Sequence, residues 1–392
     1  MNRSETCESS PAAVQVSFAP FLLPGTVGTA QLHLAKQRII EATGLREGVA
    51  HNADLAILGD NVSRLCGTIE EIPVRLYVSH LGVGVMRIDW PACTLASDPK
   101  KLLQVRRDRH SELIEGSTPF GGKVHAIVNA VVKVCKYTHL FKPDPYRSAA
   151  PFDYVFSMFE IDADCQHEVV RVHEEALLSP SRFGLSDTTW APELPNTQQR
   201  RMCTPTLPEN CEDSDTVCCR ASWASVVISG RECGHSRELY AAIEVRTQAL
   251  WLFAHRVSRV RPTKQRGDLL TLELLAFTFE QLVTSFLPLD EPTANERVLA
   301  INKAIVSSSD VFQRVEAARQ NISSLRAITS AQETRHRNQL ESITQILLFL
   351  IASLQLLPTI IPVPLAGNFK VYMIVAWVVA FIAFLGVRVR LR

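Results

Sequence analysis

The residues with the clearest potential for chemistry lie in an uncharged stretch near the carboxyl end of the chain. Between Glu341 and Lys370 no charged residue occurs. When this stretch is placed on a helix at about 100° per residue, one sector collects polar side chains. That sector contains Glu341, Gln345, Gln355 and Thr359, together with Ala352 and Leu348 and with Thr344 at its margin. Because polar groups within a bilayer face other helices or water, we interpret the sector either as a site of hydrogen bonds between helices or as the wall of an ion path.

Motifs known from enzymes occur only in incomplete form. The segment Gly116–Val124 has one residue too many for a phosphate-binding loop, and Val124 stands where a Ser or Thr would bind magnesium. We therefore interpret it as a loop that precedes a helix. His167 and His173 do not have the spacing that would place both on one metal, and no G-x-S-x-G sequence occurs. The sequence predicts no catalytic residues, and we expect that the protein is not an enzyme.

The cysteines give weak support for a metal site. Ten are scattered along the chain, and a cluster with His235 comprises Cys203, Cys211, Cys218, Cys219 and Cys233. This cluster contains no C-x₂-C pair, and two of its members are adjacent in sequence, which suits tetrahedral zinc poorly. We expect unligated, reduced thiols and no firm metal site or cofactor.

Two predicted membrane spans would position the polar sector. The uncharged stretch exceeds the roughly 20 apolar residues that cross a bilayer, and a second apolar run follows between Lys370 and Arg388. A short turn that contains Pro362, Pro364, Gly367 and Asn368 separates them. The predicted domain 343–392 is therefore a transmembrane hairpin with a basic tail, and its partner is the lipid bilayer. Arginines before and after the spans place both termini in the cytoplasm: Arg335, Arg337, Arg388, Arg390 and Arg392.

A long helix is expected to lead into the first span. From Thr293 to Leu340 there is no Pro or Gly, and apolar residues recur mostly at intervals of three and four. These residues are Val298, Ile301, Ile305, Phe312, Val315, Ile322 and Leu325. The pattern predicts a stalk helix over 290–342. We favour an oligomeric stalk over the alternative, a helix that packs on its own domain.

The remainder of the chain is expected to be cytoplasmic. We predict a disordered segment at 1–13, an α/β or α+β domain at 14–235 with a long loop at 186–215, and a helical subdomain at 236–289. The last helix of that subdomain, over Asp268–Leu287, is rich enough in apolar residues to be packed on more than one side. The net charge of +1, without a Lys- and Arg-rich run in this part, predicts no nucleic-acid partner.

This order of elements resembles the CorA-type divalent-cation transporters along roughly the whole chain. An α/β domain is followed by helices, a very long helix that becomes the first span, a tiny loop, a second span and a basic tail. The family signature is Gly-Met-Asn at the end of the first span, and here the sequence is Ala366-Gly367-Asn368-Phe369, without the Met. The resemblance implies an integral protein of the bacterial inner membrane or an equivalent membrane. It also implies a homopentamer that transports ions such as Mg²⁺ under the control of its cytoplasmic domain.

On this interpretation hydrated cations would enter at Gly367 and Asn368. They would then pass Thr359, Gln355 and Gln345 before they reach Glu341. Carbonyl and amide groups would bind the water shell of the ion, since Mg²⁺ loses water reluctantly. The alternative is a non-transporting two-span membrane protein whose cytoplasmic domain senses a ligand or a partner. The absence of Asp and Glu from the loop after the first span favours this alternative.

Overall fold

The computed structural model contains one α/β domain and one very long helix. It describes residues 12–27, 29–48, 58, 62–95, 99–137, 141–143, 152, 154–163, 168–178, 218–221, 225–230, 237–260, 269–287, 302–303 and 305–360. Contacts within the chain divide it into two units, Met1–Thr329 and Ser330–Arg392.

The first unit is built on a mixed β-sheet. Its longer strands are β1 (Ala12–Leu22), β4 (Val62–Ile69), β5 (Ile72–Ser79), β6 (Val83–Asp89), β9 (Phe156–Ile161) and β11 (Ser225–Ser229). Shorter strands are β2 (Gly25–Val27), β3 (Arg46–Glu47), β7 (Cys93–Thr94), β8 (Phe141–Pro143) and β10 (Cys218–Ala221). In the described part of the chain nine strands form the main sheet, in the order β10-β11-β9-β1-β6-β5-β4-β3, with β7 paired to β1. Strands β9 and β11 run parallel and the other pairs are antiparallel.

Of the helices with defined bounds in the described part of the chain, six belong wholly to the first unit, and a seventh begins there. They are α1 (Thr29–Thr43), α2 (Pro99–Glu115), α3 (Pro119–Tyr137), α4 (Glu168–Leu178), α5 (Arg237–Ser258) and α6 (Leu269–Phe286). The seventh helix, α7, is Val311–Ile360, which extends past the boundary between the two units.

The alternation of side chains along the central strand places cores on both faces of the sheet. Val16 and Phe18 belong to a core with α5, α6 and the first part of α7. Ala19 and Phe21, on the other face, pack with α1 and α3. A third core joins Phe159 of β9 to α2 and α4. Helices therefore lie on both faces of the sheet, and the prediction that the amino-terminal domain combines strands with helices, as an α/β or α+β domain, is confirmed.

The sequence Val74–Trp90, rich in β-branched and aromatic residues and broken at Leu81-Gly82, is typical of a hairpin or of adjacent strands, and it forms a hairpin. Strands β5 and β6 pair antiparallel, and the turn between them uses Gly82 at a φ of 81°. The preceding turn is less usual. Glu70 and Glu71 join β4 to β5 at φ values of 49° and 68°, a left-handed conformation that favours Gly or Asn.

The packing of the helices does not follow the predicted domain boundaries. A separate helical subdomain at 236–289 is not distinguished, because α5 and α6 share one core with the sheet. The predicted disordered segment 1–13 overlaps β1 at Ala12 and Ala13, and its other residues lie outside the described part. The predicted loop 186–215 lies wholly outside it.

The stalk predicted over 290–342 does not begin where it was expected. Ser309 and Asp310 form a turn, and Asp310 has a φ of 60°. Helix α7 starts at Val311 directly after this turn, and the Arg314 amide donates to the Asp310 carbonyl at 3.1 Å. A left-handed residue ends one helical segment and redirects the chain, so the absence of Pro and Gly was not enough to predict continuity.

Among the described residues one helix is long and apolar enough to cross a membrane, and it is α6. Length and composition are the only basis for this, and 44 % of α6 is buried. Its two acidic residues, Glu273 and Glu280, form ion pairs with Arg326 and Arg319 of α7. The core helix of a domain, with this amount of burial and these ion pairs, can have the same length and apolar composition as a membrane span. The predicted second span lies outside the described residues, and the two-span hairpin stays a prediction.

Candidate functional site

The predicted ion-path residues lie on or beyond the second half of α7. Glu341 and Gln345 are exposed and are one helical turn apart. Gln355 and Thr359 belong to the same helix, but only their backbone is described. Gly367 and Asn368 lie outside the described residues. The structure thus places Glu341 and Gln345 on one face of a helix and leaves the predicted entry untested.

The same half of α7 exposes large apolar side chains. Ile346, Leu347 and Leu348 are consecutive and are 46, 40 and 61 % exposed. Consecutive helical residues point in directions about 100° apart, so these three side chains cover more than half of the helix circumference. Leu340 and Ile351 are exposed as well. A helix that is apolar on most of its circumference is stable only when lipid or other helices surround it.

The first part of α7 is instead packed in its own domain. Val315, Ile322 and Leu325 of α7, and Ile305 before the turn that precedes it, formed most of the predicted coiled-coil seam and are buried in the core shared with α5 and α6. Phe312 is the exception and is 55 % exposed. The interpretation as an oligomeric stalk is therefore wrong for these buried residues, and the alternative of a helix packed on its own domain is correct. A periodic apolar stripe does not tell which helix covers it.

Polar contacts attach the base of α7 to the end of α5. The Arg314 guanidinium lies over the Trp251 ring at 5.4 Å, and Trp251 stacks on His255 with ring centroids 4.8 Å apart. Burial, with the nearby charges of Arg259 and Arg314, lowers the pKa of His255 to about 3. The imidazole is therefore neutral at physiological pH.

The amide of Asn321 reinforces this attachment. Its Nδ2 donates to the carbonyls of Val257 and Val260 at 2.8 and 3.0 Å. Val257 belongs to the last turn of α5 and Val260 follows the end of that helix, where helical carbonyls lack amide partners within the helix. Asn321 also begins an N-x-S glycosylation sequence, and its side chain is already engaged.

A cluster of charges fixes the beginning of α5 on the sheet. Arg87 is 1 % exposed and donates to Glu238 at 2.7 and 3.0 Å and to Asp89 at 2.8 Å. Arg75, its neighbour across the β5–β6 pair, also donates to Glu238. Burial alone would raise the pKa of Glu238, but the hydrogen bonds and charges of the two arginines lower it to about 2. Two cations and two anions balance each other, which accounts for the burial of an arginine here.

A buried polar network occupies the opposite face of the sheet. His110 Nε2 lies 2.7 Å from the Ser157 hydroxyl, and Gln15 Nε2 donates to the same hydroxyl at 3.1 Å. Arg109 in turn donates to the Gln15 Oε1 at 2.9 Å and lies over the Trp90 ring.

A Ser and a His within hydrogen-bonding distance have the geometry of a nucleophile and its base. Ser157, however, has no exposed surface and is the second residue of β9, and burial lowers the pKa of His110 well below its ordinary value. We interpret the pair as satisfying polar groups that are buried between the sheet and α2. Sequence reasoning missed this network, because its members lie up to 142 residues apart and no motif joins them.

Glu244 of α5 is a fully buried acid. Gln248 Nε2 donates to its Oε2 at 3.0 Å, and in the described part of the chain its Oε1 has no hydrogen-bond partner. The Tyr154 hydroxyl donates to the Gln248 Oε1 at 3.0 Å, which orients the amide. Burial raises the pKa of Glu244 to about 8. The carboxyl is therefore mostly protonated at neutral pH.

The segment that resembles a phosphate-binding loop connects two helices. Thr118 caps α3, and its hydroxyl accepts from the Gly121 amide at 3.0 Å. A Cβ at Gly121 would lie 2.2 Å from the Glu112 carbonyl oxygen, so this glycine allows α2 and α3 to approach closely. A phosphate loop follows a strand, and this one follows a helix. The interpretation as a loop before a helix is confirmed.

Metal ligands are not gathered in the described part of the chain. No group of three or more His, Cys, Asp or Glu side chains there could hold an ion. Three members of the cysteine cluster, Cys203, Cys211 and Cys233, lie outside the described residues. The expectation that no firm metal site exists therefore stays a prediction.

Comparison with known proteins does not place the chain in a family. No protein-family model, no curated protein and no solved structure matches it.

Proposed function

We propose that the chain is an integral membrane protein in which α7 joins the α/β domain to the bilayer, and that it acts as a CorA-like, oligomeric transporter for divalent cations. The supporting observation is the change in character along one helix. The base of α7 is buried in the domain core, whereas Ile346, Leu347 and Leu348 are exposed on most of its circumference. Those side chains require an apolar environment, and the uncharged stretch between Glu341 and Lys370, which includes them, is long enough to supply a span.

The helical continuity of α7 supports a link between the domain and the ion path. No break occurs from Val311 to Ile360, so the residues that pack on α5 and those of the polar sector share one hydrogen-bonded ladder. In this proposal the cytoplasmic domain controls the path.

The polar sector supplies the proposed path. Glu341 at its cytoplasmic end attracts cations, and Gln345, Gln355 and Thr359 offer oxygen atoms to the water shell of a passing ion. Gly367 and Asn368 would form the entry, as the resemblance to the transporters implies. Hydrated Mg²⁺ is the expected substrate. Among these residues only Glu341 has a charged oxygen that could displace a water molecule from the ion, so the ion would keep its water shell.

The proposal is tested by flux of Mg²⁺, Co²⁺ and Ni²⁺ into proteoliposomes that contain the full chain. We expect flux above that of empty vesicles and a loss of at least tenfold in Asn368→Ala. Asn338→Ala, at an exposed position of α7 before the uncharged stretch, is the matched control and should retain flux. No flux from correctly inserted protein would refute transport, and equal loss in both variants would refute the entry site alone.

Membrane insertion has its own test, since it can hold without transport. After alkaline extraction of membranes, the full chain should remain in the pellet. Recovery in the supernatant would refute both insertion and transport.

The second candidate is a non-transporting membrane protein whose domain senses a ligand or a partner. Residues 361–369 contain no Asp or Glu to concentrate cations, and Gly367 and Asn368 are adjacent without the intervening Met of the transporter signature. Stable insertion combined with the absence of flux is the result that this candidate predicts.

A further inference from the structure

The chain enters α7 through a joint that depends on one left-handed residue. Residues 305–308 are helical, Ser309 and Asp310 form a turn, and α7 begins at Val311. Within the stretch 305–360, all of which is described, Asp310 alone has a φ in the left-handed region, at 60°. We call Ser309 and Asp310 the α7 joint. If Asp310 had the right-handed conformation, residues 305–308 and α7 would form one helix.

In the bent joint, side-chain hydroxyls replace the amide that a continuous helix would use. The Ser309 hydroxyl donates to the Val306 carbonyl at 3.0 Å, and in a continuous helix this carbonyl would accept from the Asp310 amide. The Ile305 carbonyl accepts from the Ser309 amide and from the Ser308 hydroxyl, each at 3.0 Å. Serine hydroxyls compete with helix continuation in this way. The carbonyls before the joint are therefore satisfied while the chain is bent.

The local sequence does not require the bend. A helix that ends in a left-handed residue usually has Gly there, and sometimes Asn, whereas this joint has Asp. Between Thr293 and Leu340 no Gly or Pro occurs, so no residue of this stretch prevents a continuous helix. The ion pair of Asp310 with Arg314, at 3.7 Å, joins positions i and i+4 and fits a continuous helix equally well.

Tertiary packing selects the bend. Ile305 and Val306 are 1 and 4 % exposed in the core shared with α5 and α6. Helix α7 contributes five side chains to the same core, and they are Val311, Val315, Ala318, Ile322 and Leu325. If the joint straightens, one side must leave the core, and the side with two buried side chains loses less apolar contact than the side with five. Straightening therefore releases residues 305–308 and leaves the base of α7 in place.

We infer that the α7 joint is a two-state conformational device, bent while Ile305 and Val306 are in the core and straight when they leave it. In the straight form α7 gains residues 305–310, which adds about 9 Å at 1.5 Å per residue. Loss of two buried side chains opposes the change. Relief of the left-handed residue favours it, as do new hydrogen bonds for the first amides of α7, which lack carbonyl partners within that helix. The straight form is the minor state of this equilibrium.

Thiol labelling at residue 305 of the full chain in mild detergent tests the joint, because this side chain is accessible only in the straight form. With Ile305→Cys and a slowly reacting maleimide, peptide mass spectrometry gives a labelling rate proportional to the population of the straight form. Asp310→Gly favours the left-handed conformation, and Asp310→Ala disfavours it. Residue 305 should therefore be labelled about tenfold faster with Asp310→Ala than with Asp310→Gly.

Two controls separate straightening from other changes. Asp310→Asn removes the charge but tolerates a left-handed φ, so it should not raise the labelling rate at residue 305. Cys135 of α3 is 1 % exposed, and its labelling in the same sample reports unfolding of the domain. Residue 305 should be labelled at least about tenfold faster than Cys135 in every variant, because a local opening is more frequent than unfolding. Equal rates at the two positions, or a rate at residue 305 that is the same with Ala and with Gly at position 310, would overturn the inference.

A second substitution tests the hydroxyl that holds the bend. Ser309→Ala leaves the Val306 carbonyl without its donor in the bent form alone, so the labelling rate at residue 305 should rise about fivefold. Ser324→Ala is the matched control, since the Ser324 hydroxyl makes a similar bond within α7, to the Gln320 carbonyl at 2.9 Å. Equal rates in these two variants would count against the two-state joint. All of these rates are measured in the first unit and do not require membrane insertion or ion flux, so the joint and the proposed function can fail separately.

Discussion

Replacement of Glu244 by Gln should stabilise the domain, and the gain should increase with pH. Glu244 is fully buried with one oxygen unpartnered in the described part of the chain, and burial raises its pKa from the ordinary 4.5 to about 8. Between these two pH values the folded carboxyl is protonated, whereas the unfolded carboxyl is ionised. Unfolding then releases a proton, so the free energy of unfolding falls as the pH rises.

The magnitude follows from the width of that pH window. Each pH unit within it removes about 1.4 kcal/mol from the free energy of unfolding. From pH 4.5 to pH 7 the loss is about 3 kcal/mol, and the loss ends near pH 8, where the folded protein also loses the proton. Gln does not titrate and keeps the shape and the contact with Gln248. Glu244→Gln should therefore match the unsubstituted protein near pH 4.5 and exceed it by about 3 kcal/mol at pH 7.

Urea unfolding of the full chain in mild detergent, followed at several pH values from 4.5 to 8, measures this difference. Glu41→Gln, at an exposed position of α1, is the control and should give a difference near zero throughout. The slope of this free-energy difference against pH is the decisive quantity, because a changed hydrogen bond would alter the free energy of unfolding by the same amount at every pH. A difference between Glu244→Gln and the unsubstituted protein that does not vary with pH would refute a protonated, buried carboxyl.

Two further predictions concern the backbone of the sheet. Gly84→Ala should lower the free energy of unfolding by about 1–3 kcal/mol, since the new Cβ would lie 2.2 Å from the Phe21 ring, whereas Gly48→Ala, with its nearest atoms at 3.7 Å, should have little effect. Adding Phe21→Leu to Gly84→Ala should cost less than the sum of the two single changes, and strict additivity in urea unfolding would contradict the clash. The double variant Glu70→Asn, Glu71→Gly should raise the free energy of unfolding by about 1 kcal/mol, because both residues have left-handed φ values in a two-residue hairpin. A lower urea midpoint in that variant would contradict the strain.

Much of the domain was predictable because its elements have strong local patterns. The β-branched and aromatic residues of β5 and β6, broken at Gly82, predicted their pairing, and the apolar spacing of α5 predicted a buried helix. The order of strands in the sheet was not predictable in this way. It depends on contacts such as the parallel pairing of β9 with β11, which no local pattern encodes.

The helices after the sheet show what periodicity leaves open. An apolar stripe on α7 predicted a packed face correctly but assigned its partner wrongly, because α5 and α6 cover Val315 and Ile322. The prediction that α6 is packed on more than one side holds for one face, since Leu270, Leu274 and Phe277 on the other face are exposed within a single chain. Sequence patterns identify the face that must be buried, and the identity of its partner depends on the tertiary fold.

The candidate site was predictable only as a set of positions. The polar sector depends on helical geometry, and α7 is helical as far as Ile360. Glu341 and Gln345 are exposed on one face of this helix, as the sector requires. The buried network around Gln15 and Ser157 gave no signal in the sequence. Its polar residues alternate with apolar ones along the strand, which is also the pattern of a strand with one face exposed to solvent.

The hydrogen bonds of Asn321 bear on how the chain would behave during secretion or quality control. An oligosaccharide can be attached only to a side-chain nitrogen that the transferase can reach, and this nitrogen already donates to two carbonyls. Carbohydrate at this position would therefore mark molecules that met the transferase before α5 and α7 docked. If the domain were translocated into a glycosylating compartment, the fraction of chains glycosylated at Asn321 would therefore report how fast the domain folds.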